Sequence, residues 1–285
     1  MPERVLLTGA TGFVGRAVVA PLRAAGVELH AVSSRDADLL DEGAARALLR
    51  EVKPAIVLHC AWYVAHGTFW TAPENDTWLE ASTAFARAFA EQGGRRFVGV
   101  GTCAEYADRD ADDDAPWKET RAIAPATPYG RAKAALAARL AAMPVATAWA
   151  RLFHMFGEGE NPGRLVPSVA LALLRGEEAR CASGRPVRDF ASTRFIGEAL
   201  AALALSGVTG AANIGSGEGR AIADVVRFLG QASGRPDLIR LGALPDRPNE
   251  VPHMVADVSR LRHQVGFARP PRVEADLRAL LAALR

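Results

Sequence analysis

The sequence predicts an α/β fold, in which a doubly wound parallel sheet is followed by a smaller C-terminal lobe. Short apolar runs alternate with helical patterns, the runs are almost unbroken as in strands buried on both faces, and a glycine-rich turn joins the first run to the first helix. A chain of 285 residues favours one large domain with an appended lobe. We expect the division to be 1–155, with segments returning at 187–215, and 156–285.

Strands and helices are predicted in strict alternation through the first half of the chain. The expected elements are strand Arg4–Thr8, helix Val14–Ala25, strand Val27–Val32, helix Ala44–Glu51, strand Ala55–Cys60, helix Trp78–Glu91, strand Arg96–Val100, a helix from Pro128 and strand Trp149–Phe153. The acidic run Asp108–Asp114 has no periodicity, which predicts a solvated loop rather than a metal site. Beyond residue 156 the alternation weakens and proline and glycine become frequent, so the second lobe is expected there.

Composition and charge exclude several classes of protein. The net charge is only +2 without a separate basic run, which argues against nucleic-acid binding. Cys60, Cys103 and Cys181 are odd in number and lack metal-ligand spacing, so we expect a reducing, cytoplasmic location, no disulfide and no metal. Arg4 leads directly into a strand and no apolar run approaches the length of a membrane span, so neither targeting nor membrane association is expected.

The segment Gly9-Ala10-Thr11-Gly12-Phe13-Val14-Gly15 follows a strand and opens a helix, and this context predicts a dinucleotide-binding turn. Gly9 allows the sharp turn, Gly12 lets the backbone approach the pyrophosphate, and Gly15 lets the helix pack closely on the strand. The helix N-terminus adds free N–H groups and partial positive charge. A plain strand–helix turn is the alternative.

The end of the second strand bears on the choice of cofactor. An acidic residue there would bind the ribose 2′-hydroxyl of NAD, whereas an arginine would accept the 2′-phosphate of NADP. The strand end reads Ser33-Ser34-Arg35-Asp36, so both candidates are present. Ser33 and Ser34 leave the strand end itself without a carboxylate, and Arg35 can contact a phosphate, which favours NADP(H) over NAD(H). Arg35 as a solvated surface side chain is the alternative.

A tyrosine and a lysine are predicted to lie on one face of the helix that begins at Pro128. Thr127 is placed to cap that helix, and Tyr129 and Lys133 then stand at i and i+4. The ammonium and a positively charged nicotinamide would both favour the phenolate, which predicts an acid–base group usable near neutrality. Such pairs also occur where the tyrosine merely packs and the lysine is solvated.

Thr102 is predicted to lie at the carboxyl end of a parallel strand, where ligands of open α/β sheets bind. Its hydroxyl could share the reacting proton; satisfying local backbone groups is the alternative. Cys103 is near no recognisable base, so we interpret it as a structural thiol.

Taken together, Gly9–Gly15, Thr102, Tyr129 and Lys133 resemble the extended short-chain dehydrogenase/reductases, specifically their nucleotide-sugar epimerase/dehydratase/4-ketoreductase group. The resemblance covers essentially the whole chain. It implies a Rossmann-like fold, a nucleotide-sugar substrate and a homodimer formed through a helix bundle that includes the Tyr129 helix.

The resemblance also implies further cofactor contacts. Asp38 and Leu39 resemble the pair that meets the adenine, and the segment after His59 resembles the strand end beside the cofactor ribose. The predicted cofactor-binding residues are Gly9, Thr11, Gly12, Phe13, Val14, Gly15, Ser33, Ser34, Arg35, Asp38, Leu39, Cys60, Ala61, Trp62, Tyr129, Lys133, Phe153 and Met155.

On the substrate side the resemblance implies a nucleoside diphosphate held by arginines and a carboxylate. The predicted substrate-binding residues are Thr102, Cys103, Ala104, His154, Arg164, Leu165, Arg188, Arg247 and Glu250. Sugar 4,6-dehydratases carry an Asp-Glu pair where this chain has Cys103 and Ala104, so dehydration is not expected, and Glu105 is interpreted as structural. For each arginine alone, a surface ion pair is the alternative.

These residues predict hydride exchange at C4 of a nucleotide-linked hexose, with Thr102, Tyr129 and Lys133 as the catalytic set. A 4-ketoreductase that consumes NADPH is favoured. A 4-epimerase with retained NAD is the alternative, and a non-catalytic NADP(H)-sensing protein is the alternative from another class.

Overall fold

Strands and helices alternate along the chain in the computed structural model, which describes residues 2–108, 115–248 and 250–285. The elements are β1 (Arg4–Thr8), α1 (Gly15–Ala24), β2 (Glu28–Val32), α2 (Glu42–Val52), β3 (Ile56–His59), α3 (Glu74–Glu91), β4 (Arg96–Thr102), α4 (Pro128–Ala141), β5 (Ala146–Leu152), β6 (His154–Phe156), α5 (Leu165–Arg175), β7 (Ala179–Arg180), β8 (Val187–Ser192), α6 (Thr193–Leu205), β9 (Gly210–Ile214), β10 (Gly219–Ala221), α7 (Ile222–Ser233), β11 (Ile239–Arg240), β12 (His253–Met254), α8 (Ser259–His263) and α9 (Val273–Ala283). Most of the acidic run, residues 109–114, lies outside the described residues, so its expected loop stays a prediction.

Six parallel strands form the main sheet in the order β2-β1-β3-β4-β5-β9. Helices α1 and α6 pack together, while α2 and α4 each pack against α3. Their buried apolar residues form two separate clusters with the strands, one containing residues of α1 and α6 and the other residues of α2, α3 and α4. The predicted doubly wound α/β fold is therefore confirmed.

Several element boundaries differ from those predicted. Helix α3 begins at Glu74 instead of Trp78, because Glu74 and Asp76 are acidic residues that suit the first turn of a helix. Helix α2 begins two residues early, since the Asp41 side chain accepts a hydrogen bond from the Ala44 amide at 2.9 Å and caps it. Strand β4 continues to Thr102 because it pairs with β5 along its whole length.

A four-stranded sheet, a two-stranded sheet and several helices build the C-terminal part. Strand β8 pairs with β6, β10 and β12, and β7 pairs with β11. Helices α5, α7 and α9 contribute to a third apolar cluster. Within 187–215, β9 joins the main sheet and α6 packs on α1, whereas β8 belongs to the second sheet. The predicted domain division stays a prediction.

In the ranges that the structure describes, no helix is both long and apolar enough to cross a membrane.

Candidate active site

A cavity of about 720 Å³ opens at the carboxyl ends of β1 to β5, where ligands of such sheets bind. Most of the predicted site residues line it. They are Gly9, Thr11, Gly12, Phe13, Val14, Gly15, Ser33, Ser34, Asp38, Leu39, Cys60, Ala61, Trp62, Thr102, Cys103, Ala104, Tyr129, Lys133, Phe153, His154, Met155 and Arg164. Residues that lie up to 155 positions apart in the chain thus share one enclosure.

The glycine turn has the shape that a dinucleotide requires. Gly9 has a φ of +66°, and a Cβ there would lie 2.7 Å from the backbone nitrogen of Ala61. A Cβ on Gly15 would lie only 2.1 Å from the Gly9 carbonyl oxygen. Both positions therefore require glycine, and helix α1 begins at Gly15 with its N-terminus at the cavity, where its partial positive charge suits a pyrophosphate.

The end of β2 differs from the prediction in one respect. A carboxylate is present there, because Asp36 folds back and its Oδ2 accepts hydrogen bonds from the Ser33 amide at 2.7 Å and the Ser33 hydroxyl at 2.8 Å. These bonds hold the pKa of Asp36 below its usual value. Arg35 is exposed and does not line the cavity. The strand end therefore offers a cation and an anion side by side.

Close packing between α4 and the turn after β4 brings Thr102 and Tyr129 together. A Cβ on Gly130 would lie 2.4 Å from the Ala104 carbonyl oxygen, so only glycine allows this approach. The Thr127 side chain accepts from the Gly130 amide at 3.1 Å and caps the helix, as predicted. Thr102 Oγ1 accepts from the Ala104 amide at 3.2 Å, and Thr102 lines the cavity together with Tyr129.

Lys133 is buried and held from two sides. Its Nζ donates to the Val100 carbonyl oxygen at 2.9 Å and lies 3.7 Å from the centre of the Trp62 ring. Burial lowers the pKa of Lys133 to about 7. Trp62 is itself fixed, because its Nε1 donates to Asn75 Oδ1 at 2.9 Å. One face of the ammonium thus lies on an indole in a desolvated site.

Burial dominates the state of the tyrosine. It raises the pKa of Tyr129, and the negative charge of Glu105 acts in the same direction, while the Thr102 side chain and the charge of Arg164 oppose it. The expected lowering by Lys133 and a positively charged nicotinamide stays a prediction. The phenol is protonated at neutral pH and can act as an acid towards a carbonyl oxygen.

Glu105 is structural, as predicted. It is fully buried. Its carboxylate accepts hydrogen bonds from Arg151 Nε at 2.8 Å, from Trp149 Nε1 at 2.9 Å and from the Thr102 amide at 2.8 Å. Glu105 therefore anchors the end of β4 and, through it, the position of the Thr102 hydroxyl.

The other wall of the cavity carries polar groups. His154 has a buried Nδ1 without a hydrogen-bond partner, and burial lowers its pKa to about 3, so the imidazole is neutral. Arg164 Nε donates to Glu160 Oε1 at 3.0 Å. Burial raises the pKa of Glu160 to about 7. An arginine with a partly protonated carboxylate partner can still accept the negative charge of a phosphate.

Five predicted residues do not line the cavity. The Arg188 guanidinium is buried and pairs with Glu250 at 3.0 Å, so each satisfies the other. Arg247 and Arg35 are exposed. Leu165 packs against the apolar cluster of the second lobe. Their roles in ligand binding stay predictions.

Sequence reasoning missed an aromatic segment after β3. Trp70, Phe69 and Val64 line the cavity together with His66 and Trp78. A signal was present, because three of the five tryptophans of the chain lie within 62–78. Over the described ranges, no group of three or more His, Cys, Asp or Glu side chains could hold a metal ion.

The sequence profile of the NAD dependent epimerase/dehydratase family matches residues 5–215. The chain belongs to this family. The resemblance inferred from Gly9–Gly15, Thr102, Tyr129 and Lys133 is therefore confirmed.

Relatives within the epimerase/dehydratase family include reductases. A dTDP-4-dehydrorhamnose reductase of Mycobacterium tuberculosis is 30% identical over 268 residues, which cover 87% of this chain and 79% of the relative. A dTDP-4-keto-6-deoxy-D-glucose reductase of Streptomyces niveus is 28% identical over 145 residues, which are 47% of this chain and only 46% of that relative's length. A Thermus thermophilus UDP-glucose 4-epimerase in complex with NAD shares the fold, with a TM-score of 0.85, 22% identity and 99% of each chain covered.

Proposed function

We propose that the protein is a 4-ketoreductase that uses NADPH to reduce the C4 carbonyl of a nucleotide-linked hexose. The observation that carries the proposal is the placement of a protonated Tyr129 in the same cavity as Thr102, the dinucleotide turn and Lys133. Reduction of a ketone needs a hydride at carbon and a proton at oxygen, and a protonated phenol is the form that can donate that proton.

Each residue of the set has a defined task. The nicotinamide would supply the hydride when bound. Tyr129 transfers its proton to the sugar oxygen as that oxygen gains charge. Thr102 hydrogen-bonds the same oxygen and orients it, and Lys133 holds the cofactor ribose and stabilises the resulting phenolate. The phenolate must then regain a proton before the next turnover.

The family relatives support this direction of reaction. Both reductase names describe removal of a 4-keto group from a dTDP-linked sugar. The dehydratase reaction is disfavoured because Cys103 and Ala104 offer no carboxylate beside Thr102, and the nearby Glu105 is committed to Arg151. A homodimer through α4 stays a prediction. The intact set of Thr102, Tyr129 and Lys133 argues against a sensor without activity.

A 4-epimerase with retained NAD is the second candidate, and one observation favours it. The Asp36 carboxylate lies at the end of β2, at the position where an acceptor for the ribose 2′-hydroxyl of NAD is expected. A 2′-phosphate would be repelled by this charge unless Arg35 compensated for it.

The first test identifies the cofactor and then the reaction. Freshly purified protein is denatured, the released nucleotide is identified by mass, and the stripped protein is titrated with NAD(H) and NADP(H). We expect no retained nucleotide, a preference for NADPH, and NADPH oxidation in the presence of a 4-keto-6-deoxy sugar nucleotide. Retained NAD with interconversion of C4 epimers would replace the reductase with the epimerase.

The residue test uses Tyr129→Phe with Tyr63→Phe as the matched control. Tyr63 is partly exposed and does not line the cavity. We expect Tyr129→Phe to lower kcat by about 10²–10⁴-fold, as for loss of a general acid, while cofactor affinity is retained. Full activity of Tyr129→Phe would exclude this tyrosine as the proton donor.

A further inference from the structure

Two aromatic side chains, Phe69 and Trp70, stand beside the catalytic tyrosine and are called the aromatic wall here. The Tyr129 ring meets Phe69 edge to face at 5.0 Å and Trp70 at 5.5 Å, with interplanar angles of 90° and 89°. The two wall rings lie 4.4 Å apart. The wall is thus in direct contact with the residue that donates the proton.

The wall is fixed by its backbone. The Trp70 carbonyl oxygen accepts the Tyr129 amide at 3.1 Å, which ties the segment to the first turn of α4. Asn75 Nδ2 donates to the Phe69 carbonyl oxygen at 2.7 Å and to the Ala72 carbonyl oxygen at 2.9 Å. Because these bonds use main-chain oxygens, a change of the Trp70 side chain leaves them in place.

Phe69 is buried, but Trp70 is 40% exposed while it lines the cavity. A large indole surface left open inside a binding cavity is the kind of surface that packs against a ligand. Other parts of the cavity are matched to parts of the cofactor. The glycine turn suits the pyrophosphate, and Lys133 suits the cofactor ribose. Trp70 is joined instead to Tyr129, the residue that must face the reacting carbon.

We propose that the aromatic wall packs against the hexose ring of the substrate, and that Trp70 is a specificity-determining residue for the sugar. The inference rests on the proposed function. A hexose has a face of C–H bonds that is apolar, while its hydroxyls point to the rim, so an indole covers the face without leaving polar groups unpaired. Packing there holds the C4 oxygen towards Tyr129 and Thr102.

The experiment separates sugar from nucleotide. Protein saturated with NADPH is titrated by calorimetry with UDP-glucose and UDP, and with dTDP-glucose and dTDP. Wild type is compared with Trp70→Ala, with Trp70→Phe, which keeps a ring, and with Leu244→Ala. Leu244 is a matched control because it is 46% exposed and does not line the cavity.

We expect Trp70→Ala to weaken binding of the better nucleotide sugar roughly tenfold, as for loss of one aromatic contact, while the free nucleotide binds as before. Trp70→Phe should recover most of the loss. An equal loss for sugar nucleotide and free nucleotide would mean that the wall holds the base, and unchanged binding of both would also overturn the proposal.

Failure of this inference is distinguishable from failure of the proposed function. If the expected binding pattern is found but NADPH reduces no keto sugar nucleotide, the wall stands and the reductase assignment fails. If wild type reduces such a sugar and Trp70→Ala does so with unchanged KM, the reductase assignment is supported and the proposal that the aromatic wall binds the hexose is wrong. If wild type binds no nucleotide sugar, both are overturned.

Discussion

Replacement of Trp62 by leucine tests whether the indole stabilises the charge on Lys133. The ammonium lies 3.7 Å from the centre of the Trp62 ring, and Trp62 is only 8% exposed. A desolvated cation–π contact contributes about 2 kcal/mol to the charged form. At about 1.4 kcal/mol for each pKa unit, its loss should lower the pKa of Lys133 by roughly 1.5.

The sign follows from which form the indole favours. Burial already lowers the pKa of Lys133 to about 7, and loss of the indole should lower it further. If the ammonium is the active form, kcat/KM declines as pH rises through the pKa of Lys133. In Trp62→Leu this decline should occur at a pH lower by roughly 1.5 units. The profile of kcat/KM is the proper measurement because it reports the free enzyme.

A binding readout makes the test independent of turnover. Affinity for NADPH, followed against pH, should decline at lower pH in Trp62→Leu than in wild type, since a neutral lysine loses its hold on the cofactor. Trp62→Phe keeps a π face and is the matched control, and urea unfolding shows which variants remain folded. If folded Trp62→Leu showed the wild-type pH dependence of both kcat/KM and NADPH affinity, the indole would not stabilise the charge on Lys133.

Three further predictions concern the turn, the buried ion pair and the cavity acid. Gly15→Ala should weaken NADPH binding more than tenfold in a cofactor titration, because its Cβ would lie 2.1 Å from the Gly9 carbonyl oxygen; normal affinity would contradict the turn's role. Glu105→Gln should lower the free energy of unfolding by about 3–5 kcal/mol in urea, because Arg151 would keep an uncompensated buried charge. The pKa of Glu160 is raised to about 7, so wild type should lose stability as pH rises from about 4.5 to 7, by at most about 1.4 kcal/mol for each pH unit, and Glu160→Gln should lose less. Parallel pH curves for these two proteins would contradict the raised pKa.

Features that depend on short-range geometry were predictable from the sequence. The glycine turn, the capped start of α4 and the Tyr129–Lys133 face all follow from residues within seven positions of one another. The parallel direction of the strands follows from the alternation of strands and helices. The carboxyl ends then converge because parallel strands end at the same edge, which is why most predicted cofactor residues share the cavity.

Features that depend on distant partners were not predictable. Arg188 and Glu250 are 62 positions apart and meet only because β8 pairs with β12, so their ion pair could not be read from the sequence. The raised pKa of Tyr129 comes from burial, which a helical periodicity does not measure.

The aromatic segment shows why an irregular connection can control a site built on regular elements. Asn75 is buried and hydrogen-bonds both the Trp62 ring and the backbone at Phe69, so a single amide holds the contact on Lys133 and the contact on Tyr129. The strands and α4 position Thr102, Tyr129 and Lys133. The connection after β3 supplies the aromatic rings that contact Tyr129 and Lys133. A substitution at Trp70 can therefore change the surface beside Tyr129 while the main-chain bond from the Tyr129 amide to the Trp70 carbonyl oxygen remains.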